Sequence, residues 1–346
     1  MARKYRVGIL GATGTVGQRF IQLLQDHPQF EITALAASDR SAGKTFEEAV
    51  AWKLAGEIPE AVREIEVSPI EPPMDCELIF SSLPSSVARE TEELFARAGY
   101  PVISNSSCYR MDEDVPLLIP EINADHLGLI NVQQTKRGYG TGFIVTNPNC
   151  AVASFAPPLA ALHRKFKVEE AIVTTMQAIS GAGYPGVASM DITDNVLPYI
   201  AGEEPKVETE AQKILGKFTG EAIEKADFTV SAQCFRVNVI DGHTASVRVN
   251  LKETATLEDV VDALENFPVL DLHSSPERFI EVLDEPSRPQ PRLDRDRGDG
   301  MTITVGRVFP DNIFDYRFVA LSHNTVRGAA GSTILNAELL IQKGII

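Results

Sequence analysis

Four glycines, each three residues after the last, lie between the first apolar run of the chain and its first amphipathic segment. They are Gly8, Gly11, Gly14 and Gly17. The run at 6–10 predicts a buried strand, and the apolar positions in 16–24 fit one face of a helix. A glycine-rich turn between a strand and a helix lets the backbone approach a pyrophosphate at the helix N-terminus. The spacing departs from the common G-x-G-x-x-G pattern, yet the segment predicts a dinucleotide site; a glycine-rich turn without a ligand is the alternative.

Strand-like and helix-like segments alternate over the first 150 residues, which predicts an α/β fold with a doubly wound, Rossmann-like domain. Beyond that point strand-like segments predominate and predict an α+β domain with a largely antiparallel sheet. Asp241-Gly242 separates two of these segments and predicts a hairpin. The apolar positions of 332–342 suit packing on the first sheet. We therefore expect a cofactor-binding domain at 1–149 plus about 325–346, and a catalytic and oligomerisation domain at 150–324.

The composition is that of a globular protein with an acidic surface. The 346 residues carry a formal net charge of −16, which argues against nucleic acid or an anionic membrane as the main partner. No apolar run approaches the roughly 20 residues that span a bilayer. The four cysteines match no zinc spacing and are too few for a disulfide framework, so we expect no metal site and a reducing, cytoplasmic compartment. They are Cys76, Cys108, Cys150 and Cys234.

The end of the second predicted strand, 31–37, indicates which dinucleotide binds. An acidic residue at this place typically holds the ribose 2′-hydroxyl of NAD. Here Ser38, Arg40 and Ser41 offer neutral and charge-assisted hydrogen bonds to a 2′-phosphate. The sequence therefore favours NADP, with NAD as the alternative because Asp39 stands among them. A solvated loop arginine is the other interpretation of Arg40.

Cys150 stands where a predicted strand ends and a helix opens, directly after Asn147-Pro148-Asn149. A helix N-terminus favours thiolate over thiol, and this turn is rigid enough to hold a nucleophile. His243 follows the Asp241-Gly242 turn. A cysteine and a histidine on different elements of one domain are what thiol-based acyl chemistry requires. A buried structural cysteine and a structural histidine are the alternatives.

Three further charged residues are candidates for binding. Glu210 and Lys213 are spaced i, i+3 and so share one face of a predicted helix. For these two an ordinary surface ion pair is the alternative. Arg236 precedes His243 by seven residues and lies across the predicted turn from it.

Seven segments, taken jointly and in order, resemble the aspartate-β-semialdehyde dehydrogenase family, especially its archaeal and fungal branch. The resemblance covers essentially the whole chain. The segments are Gly-Ala-Thr-Gly-Thr-Val-Gly at 11–17, Ser-Asn-Ser-Ser-Cys-Tyr-Arg at 104–110, Asn-Pro-Asn-Cys at 147–150, Gln-Ala-Ile-Ser-Gly-Ala-Gly-Tyr-Pro-Gly at 177–186, Glu-Thr-Glu-Ala-Gln-Lys at 208–213, Arg-Val-Asn-Val-Ile-Asp-Gly-His at 236–243 and His-Asn-Thr-Val-Arg-Gly-Ala-Ala-Gly at 323–331.

The resemblance implies a role for each matching residue. Cys150 would form an acyl-thioester, His243 would be the general acid/base, and Gln177 would orient the acyl group. Arg236 would bind the substrate α-carboxylate, and Glu210 its ammonium. Arg110 and Lys213 would bind phosphate. The residues that would line the cofactor site are Gly11, Thr13, Gly14, Thr15, Val16, Ser38, Ser82, Ser180, Gly181 and Asn324.

The reaction implied is the NADPH-dependent reductive dephosphorylation of L-aspartyl 4-phosphate to L-aspartate 4-semialdehyde, a step toward lysine, threonine, methionine and isoleucine. The partners implied are these small molecules, phosphate and other copies of the chain, as a homodimer or homotetramer. One alternative is an acyl-CoA reductase, such as a malonyl-CoA reductase, on the same fold. N-acetyl-γ-glutamyl-phosphate reductase fits less well, because its substrate has no ammonium. The alternative from another class is a non-catalytic NADP-sensing protein.

Overall fold

This computed structural model describes residues 3–346. Its first sheet has six parallel strands in the order β3-β2-β1-β4-β5-β6. With this order, ligands bind in the crevice outside the carboxyl ends of the strands, at the switch between β1 and β4. The strands are β1 (Tyr5–Leu10), β2 (Phe30–Ala36), β3 (Val67–Ser68), β4 (Leu78–Ser81), β5 (Pro101–Ser104) and β6 (Phe143–Thr146).

Helices connect the successive strands of this sheet or follow them in the chain, as the alternation of strand-like and helix-like segments predicts. They are α1 (Thr15–Leu24), α2 (Phe46–Ala49), α3 (Glu60–Arg63), α4 (Ser85–Arg97), α5 (Pro120–Asn123) and α6 (Leu129–Arg137). The side chains of Phe20 and Ile21 on α1 are fully buried against the first sheet. This packing fixes the N-terminus of α1 at the crevice.

The second sheet is mixed, in the order β10-β7-β11-β14-β13-β12, with three antiparallel and two parallel pairings. Its strands are β7 (Val168–Gln177), β10 (Thr229–Arg236), β11 (His243–Leu251), β12 (Ile280–Leu283), β13 (Ile303–Pro310) and β14 (Tyr316–Ser322), and a separate two-stranded ribbon consists of β8 (Lys217–Phe218) and β9 (Ile223–Glu224). The helices of this part are α7 (Val152–Phe166), α8 (Ser189–Ile192), α9 (Glu204–Ile214), α10 (Leu257–Glu265) and α11 (Pro291–Asp294). The predicted α/β class, a doubly wound domain followed by an α+β domain, is confirmed.

The predicted hairpin at Asp241-Gly242 is wrong. β10 and β11 do not pair with each other, because β7 lies between them, parallel to β10 and antiparallel to β11. Asp241 and Gly242 therefore belong to a connection that crosses the end of β7. As a result, the last residue of β10 (Arg236), the last residue of β7 (Gln177) and the first residue of β11 (His243) lie side by side at one end of the strands.

One face of the second sheet packs on α7, α9 and α10 and forms a large apolar core. The opposite face presents Ile172, Ser231, Gln233 and Arg317 to solvent. Among residues 3–346, no helix has the length and apolar character needed to cross a membrane.

The C-terminal part of the chain returns to the first sheet. A π-helical turn at Val326–Ala330 runs into α12 (Gly331–Gln342), and Ile334, Leu339 and Leu340 of α12 pack in the core of the first sheet. The predicted helix at 332–342 is therefore confirmed, together with its packing on that sheet.

A buried ion pair fastens the π-helical turn. Arg327 donates to both carboxylate oxygens of Glu121 at 2.9 and 2.7 Å, and neither side chain is more than 1% exposed. The guanidinium also lies 4.4 Å from the ring centroid of Phe279. Removal of one partner of such a pair leaves the other charge buried and unpaired.

We expect Arg327→Leu to lower the free energy of unfolding by about 3–5 kcal/mol, because Glu121 then keeps a buried charge without a partner. Denaturant titration followed by circular dichroism measures the change. Arg63→Ala is the matched control, since the pairs that Arg63 makes with Glu57 and Glu60 are exposed and contribute about 0–1 kcal/mol. Equal effects of the two substitutions would contradict the assignment.

Candidate active site

Cys150 and His243 face each other where the two sheets meet. The sulfur of Cys150 lies 3.1 Å from Nε2 of His243, although 93 residues separate the two in the chain. Cys150 lies in the turn between β6 and α7, two residues before the first residue of α7, while His243 is the first residue of β11. The structure therefore brings together the cysteine and the histidine that the sequence singles out.

The turn before Cys150 is held by its two asparagines. Asn149 Oδ1 accepts from the N–H groups of Ala151 and Val152 at 2.7 and 3.3 Å and so fixes the start of α7. Asn147 Oδ1 accepts from Asn336 Nδ2 of α12 at 2.6 Å, and Asn147 Nδ2 donates to the Ala329 carbonyl at 2.9 Å. The position of the nucleophile thus depends both on the start of α7 and on the C-terminal part of the chain.

The π-helical turn also passes close to Cys150. A Cβ atom placed on Gly328 would lie 2.8 Å from the Cβ of Cys150, a distance at which one of the two must move. Glycine is therefore required here for close approach rather than for an unusual backbone conformation.

The thiol and the imidazole are both neutral in the free protein. Burial raises the pKa of the Cys150 thiol to about 12, and nearby Glu203 raises it further, against the effects of Arg110 and Arg236. Burial, with Arg236 and His323, lowers the pKa of His243 to about 3. Desolvation therefore opposes the predicted preference of the helix N-terminus for thiolate.

The orientation of the His243 ring is fixed by a hydrogen bond to Nδ1, the ring nitrogen that does not face Cys150. The Ala178 N–H donates to Nδ1 at 3.0 Å, so the neutral ring carries its proton on Nε2, facing the sulfur. Arg236 donates through Nη1 to the Ala178 carbonyl at 2.8 Å. One residue at the end of β7 therefore orients both the histidine and the arginine.

A cavity of about 520 Å³ extends from Cys150 to the N-terminus of α1. Eight of the predicted site residues line it: Thr15, Val16, Arg110, Cys150, Ser180, Gly181, Arg236 and Asn324. Asn324 donates to Ser180 Oγ at 2.8 Å and accepts from the Gly242 N–H at 2.8 Å, which ties the two loops on one side of the cavity together. The cavity thus joins the predicted dinucleotide site to the predicted nucleophile.

Four charged side chains line this cavity, and two of them were not predicted. Arg110 and Arg236 were expected, whereas Glu203 and Lys206 were missed. Glu203 is only 6% exposed; its Oε1 accepts from Asn149 Nδ2 at 2.7 Å, and its Oε2 accepts from Lys206 Nζ at 3.2 Å. The signal was present in the sequence, since Glu203 and Lys206 have the same i, i+3 spacing as Glu210 and Lys213 and lie seven residues, or nearly two helical turns, earlier on nearly the same face.

Glu210 and Lys213 are buried beside the cavity, and the roles predicted for them stay predictions. They lie on the predicted helix, α9, but both are buried behind the cavity rather than lining it. The three protons of Lys213 Nζ are donated to the carbonyls of Arg110, Asp112 and Val115 at 2.7–2.8 Å, and burial lowers the pKa of this lysine to about 8. In this structure no donor of Lys213 remains for a phosphate. The alternative of a surface ion pair is excluded by the same burial.

Both carboxylate oxygens of Glu210 likewise accept hydrogen bonds from other residues of the protein. It accepts from Arg110 Nη1 at 3.1 Å and from the Asn149 N–H at 2.6 Å. The structure thus places Glu210 as a partner of other site residues and leaves Glu203 as the acid that faces the cavity.

The remaining predicted residues lie near the cavity without lining it. Gln177 is 1% exposed and donates to Thr175 Oγ1 at 3.3 Å. Ser82 Oγ donates to the Leu10 carbonyl at 3.0 Å, beside the glycine turn that contains Gly11, Thr13 and Gly14. Ser38 and Arg40 are exposed and Ser41 is buried, in a turn closed by a Ser41 N–H to Ser38 carbonyl bond of 2.8 Å. Among residues 3–346 no cluster of three or more His, Cys, Asp or Glu is suited to a metal ion.

The glycine turn is shaped to admit a pyrophosphate. A Cβ on Gly17 would lie 2.3 Å from the Gly11 carbonyl oxygen, so only glycine lets α1 pack this closely on the turn. Gly14 precedes the first helical residue, and no side chain caps the N-terminus of α1. The N–H groups at that end are therefore free for an anionic ligand.

Two family models match the chain over most of its length. The NAD-binding domain of semialdehyde dehydrogenase matches residues 6–130, and its dimerisation domain matches residues 159–327. The aspartate-semialdehyde dehydrogenase of Archaeoglobus fulgidus is 54% identical over 99% of this chain and 100% of its own. That of Aspergillus fumigatus is 50% identical over 99% of both chains.

A solved structure gives the same result in three dimensions. The crystal structure of aspartate-semialdehyde dehydrogenase with NADP from Candida albicans superposes with a TM-score of 0.91, at 43% identity over 99% of this chain and 100% of the other. The chain belongs to the aspartate-semialdehyde dehydrogenase family.

Proposed function

We propose that this protein is an NADP-dependent, phosphorylating aspartate-semialdehyde dehydrogenase that reduces L-aspartyl 4-phosphate to L-aspartate 4-semialdehyde. Its relatives of similar length carry this name, and the product feeds the synthesis of lysine, threonine, methionine and isoleucine. The observation that carries the proposal is the lining of the cavity, where a paired thiol and imidazole lie among three cations and one acid.

The charges of the cavity complement those of aspartyl phosphate. The substrate has an α-carboxylate, a phosphoryl group and an ammonium. Arg236 suits the carboxylate, because a guanidinium binds it in a bidentate manner, and Arg110 and Lys206 suit the phosphoryl group. Glu203 is the acid for the ammonium. An acyl-CoA such as malonyl-CoA has no ammonium for Glu203, and an NADP sensor has no use for the Cys150–His243 pair, so neither alternative is favoured.

In the first step the sulfur of Cys150 attacks the acyl carbon, the bond from that carbon to the phosphate oxygen breaks, the thiol proton leaves on the phosphate as hydrogen phosphate, and an acyl-thioester forms. Phosphate leaves into the positive end of the cavity. Covalent catalysis of this kind replaces one difficult displacement by two easier ones. The pKa of about 12 for the free thiol means that the thiolate must be favoured by the bound substrate and its cationic partners.

NADPH, when bound, supplies the hydride that reduces the thioester. His243 holds its Nε2 proton 3.1 Å from the sulfur, where this N–H can hydrogen-bond to the oxygen that gains charge and to the sulfur that departs as thiolate. As general acid/base, the imidazole would then pass a proton taken up from solvent to the thiolate and restore the thiol. Gln177 ends β7 beside Ala178 and is proposed to orient the acyl group. Thr15 and Val16 at the start of α1 would bind the pyrophosphate, and the 38–41 turn after β2 would bind the 2′-phosphate.

We propose that the chain acts as a homo-oligomer built on a homodimer. The family model of its second half is described as a dimerisation domain, and the helix-free face of the second sheet exposes the apolar Ile172. A reducing, cytoplasmic compartment is supported by four free cysteines. A cofactor-binding domain of 1–149 plus about 325–346 and a catalytic domain of 150–324 are supported by the packing of α12 on the first sheet.

The direct test is phosphate-dependent reduction of NADP⁺ with aspartate semialdehyde. Cys150→Ala should abolish turnover and leave NADP binding intact, because only the nucleophile is removed. In the free wild-type protein, iodoacetamide should alkylate Cys150 faster as the pH rises from 7 to 10, since the thiolate is the reactive form. Cys234→Ala, which alters a buried cysteine of the second core, is the control. Turnover by Cys150→Ala, or equal wild-type turnover with malonyl-CoA, would refute the proposal.

Lys206 and Lys213 give a matched pair for the phosphate site. Lys206→Met should raise the KM for phosphate by about tenfold or more, because one charge-assisted contact of roughly 1.5–3 kcal/mol is lost. Lys213→Met should act mainly on stability, since it removes three hydrogen bonds to buried carbonyls. Initial rates at varied phosphate, together with thermal melting, measure both effects. The reverse pattern would restore the role first predicted for Lys213.

Arg40 tests the choice of cofactor. Arg40→Ala should raise the KM for NADP and barely change that for NAD, because the loss of one charge-assisted bond to the 2′-phosphate costs about 1.5–3 kcal/mol. Initial rates with each cofactor give the ratio. Arg292→Ala, which removes an exposed guanidinium elsewhere, should leave that ratio unchanged. An unaltered ratio in Arg40→Ala would contradict the assignment.

A further inference from the structure

The helix α4 carries a carboxylate that the reaction described above does not use. Glu92 lies on the side of α4 that packs on the first sheet, and its side chain is fully buried. Acidic side chains are almost never buried to this degree unless they are paired. The partners of Glu92 are two serine hydroxyls rather than a cation, so the presence of a carboxylate at this place needs an explanation.

The two hydroxyls belong to the ends of neighbouring strands. Ser81 is the last residue of β4, and Ser104 is the last residue of β5. Each donates through Oγ to the same carboxylate oxygen, Glu92 Oε1, at 2.6 Å. Within residues 3–346 no group donates a hydrogen bond to the other oxygen, Oε2. Glu92 therefore ties together the carboxyl ends of two strands, at the side of the sheet where the crevice opens.

Both strands lead into loops that line the cavity. Ser104 Oγ, which donates to Glu92, also accepts from the Ser106 N–H at 3.0 Å. A chain of hydrogen bonds thus runs from Glu92 through Ser104 into the second loop, and the bonds of such a chain strengthen one another. The loop residues that line the cavity are Leu83 and Ser85 after β4, and Asn105, Ser106 and Ser107 after β5.

We propose that Glu92 is a positioning residue for the dinucleotide: through Ser81 and Ser104 it holds the two loops that line the cofactor side of the cavity. The proposal rests on the proposed function for its ligand, NADP. Glu92 does not line the cavity itself and acts through the two serines. A hydroxyl bound to an ionised carboxylate makes a bond roughly twice as strong as one bound to a neutral acceptor, so the loops are held best when Glu92 is charged.

The charge of Glu92 changes near neutral pH. Burial raises the pKa of this carboxyl to about 7, against the effects of its two serine donors and of the charges of Arg110 and Arg89. The Cys108 thiol also faces it, and burial together with Glu92 raises the pKa of that thiol. The wild-type carboxyl is therefore mostly neutral at pH 6 and mostly ionised at pH 8.5, whereas a glutamine at this position would be neutral at both.

Glu92→Gln tests the proposal through the binding of NADPH, followed by fluorescence titration without turnover. At pH 8.5 we expect the Kd of the variant to exceed that of wild type by about fivefold, the difference between a charge-assisted and a neutral hydrogen bond. At pH 6 the two Kd values should agree, because the wild-type carboxyl is then neutral as well. Protonation of the 2′-phosphate affects both proteins alike and cancels in the comparison. In the enzyme assay, kcat at saturating cofactor should stay near that of wild type, because only binding is weakened.

Glu90→Gln is the matched control, since Glu90 is an exposed acid of the same helix. Its NADPH Kd should equal that of wild type at both pH values.

A double-mutant cycle separates positioning through Ser104 from a general loss of stability. Ser104→Ala cuts the chain between Glu92 and the Ser106 N–H, so Glu92→Gln should have a smaller effect on the NADPH Kd in this background than in wild type. If Glu92→Gln does not fold, Ser104→Ala alone serves. Its Kd should exceed that of wild type at pH 8.5, and the excess should shrink at pH 6, where the wild-type chain is weakened by protonation.

Equal Kd values for wild type and Glu92→Gln at pH 8.5, or tighter binding by the variant, would overturn the proposal. So would the same difference at both pH values, because the role of Glu92 would then not depend on its charge, and so would multiplicative effects in the cycle. Failure of the proposed function has a different signature. The wild-type protein would then not reduce NADP⁺ with aspartate semialdehyde, while the NADPH Kd and its dependence on Glu92 would still be measurable.

Discussion

The hydrogen bonds of Asn149, the residue before Cys150, determine where the nucleophile lies. Its side-chain oxygen accepts from the first N–H groups of α7, while its amide and its backbone N–H are bound by two carboxylates of α9, those of Glu203 and Glu210. These three contacts come from opposite sides of the residue. They leave Cys150 little freedom, and they make α9 the common support of the nucleophile and the charged end of the cavity.

The same burial that makes this support rigid disfavours the charged forms of the nucleophile and its partner. It raises the pKa of the Cys150 thiol to about 12 and lowers the pKa of the His243 imidazole to about 3. Glu203 disfavours the thiolate, and the two arginines favour it. An ammonium that neutralises Glu203 would remove the unfavourable contribution, so the correct substrate would itself promote the reactive form of Cys150.

Features that depend on local sequence pattern could be predicted from the sequence. Features that depend on how strands and helices are placed relative to one another could not. The glycine turn and the helix after Cys150 follow from periodicity and turn chemistry. The hairpin at Asp241-Gly242 failed because β7, about sixty residues earlier in the chain, takes the place between β10 and β11. Nothing in the turn itself encodes that insertion.

The sequence does not distinguish the two acid–base pairs of α9 for a related reason. Residues seven apart lie on nearly the same face of a helix, so the pattern fits Glu203 and Lys206 as well as Glu210 and Lys213. Only the direction of the helix axis decides which pair reaches the cavity. That direction is set by the packing of Val207, Ala211 and Ile214 in the second core, which a single sequence does not reveal.

The dependence of the nucleophile's turn on α12 has a consequence for synthesis of the chain. Asn147 binds Asn336, and Asn105 binds Thr333, so residues within the last fifteen of the chain complete the surroundings of Cys150. Domains generally fold in the order in which the ribosome releases them. Here the first sheet and the cysteine emerge long before their last supports. A nascent chain therefore carries an unfinished site until α12 has emerged, and products truncated before α12 lack these contacts around Cys150.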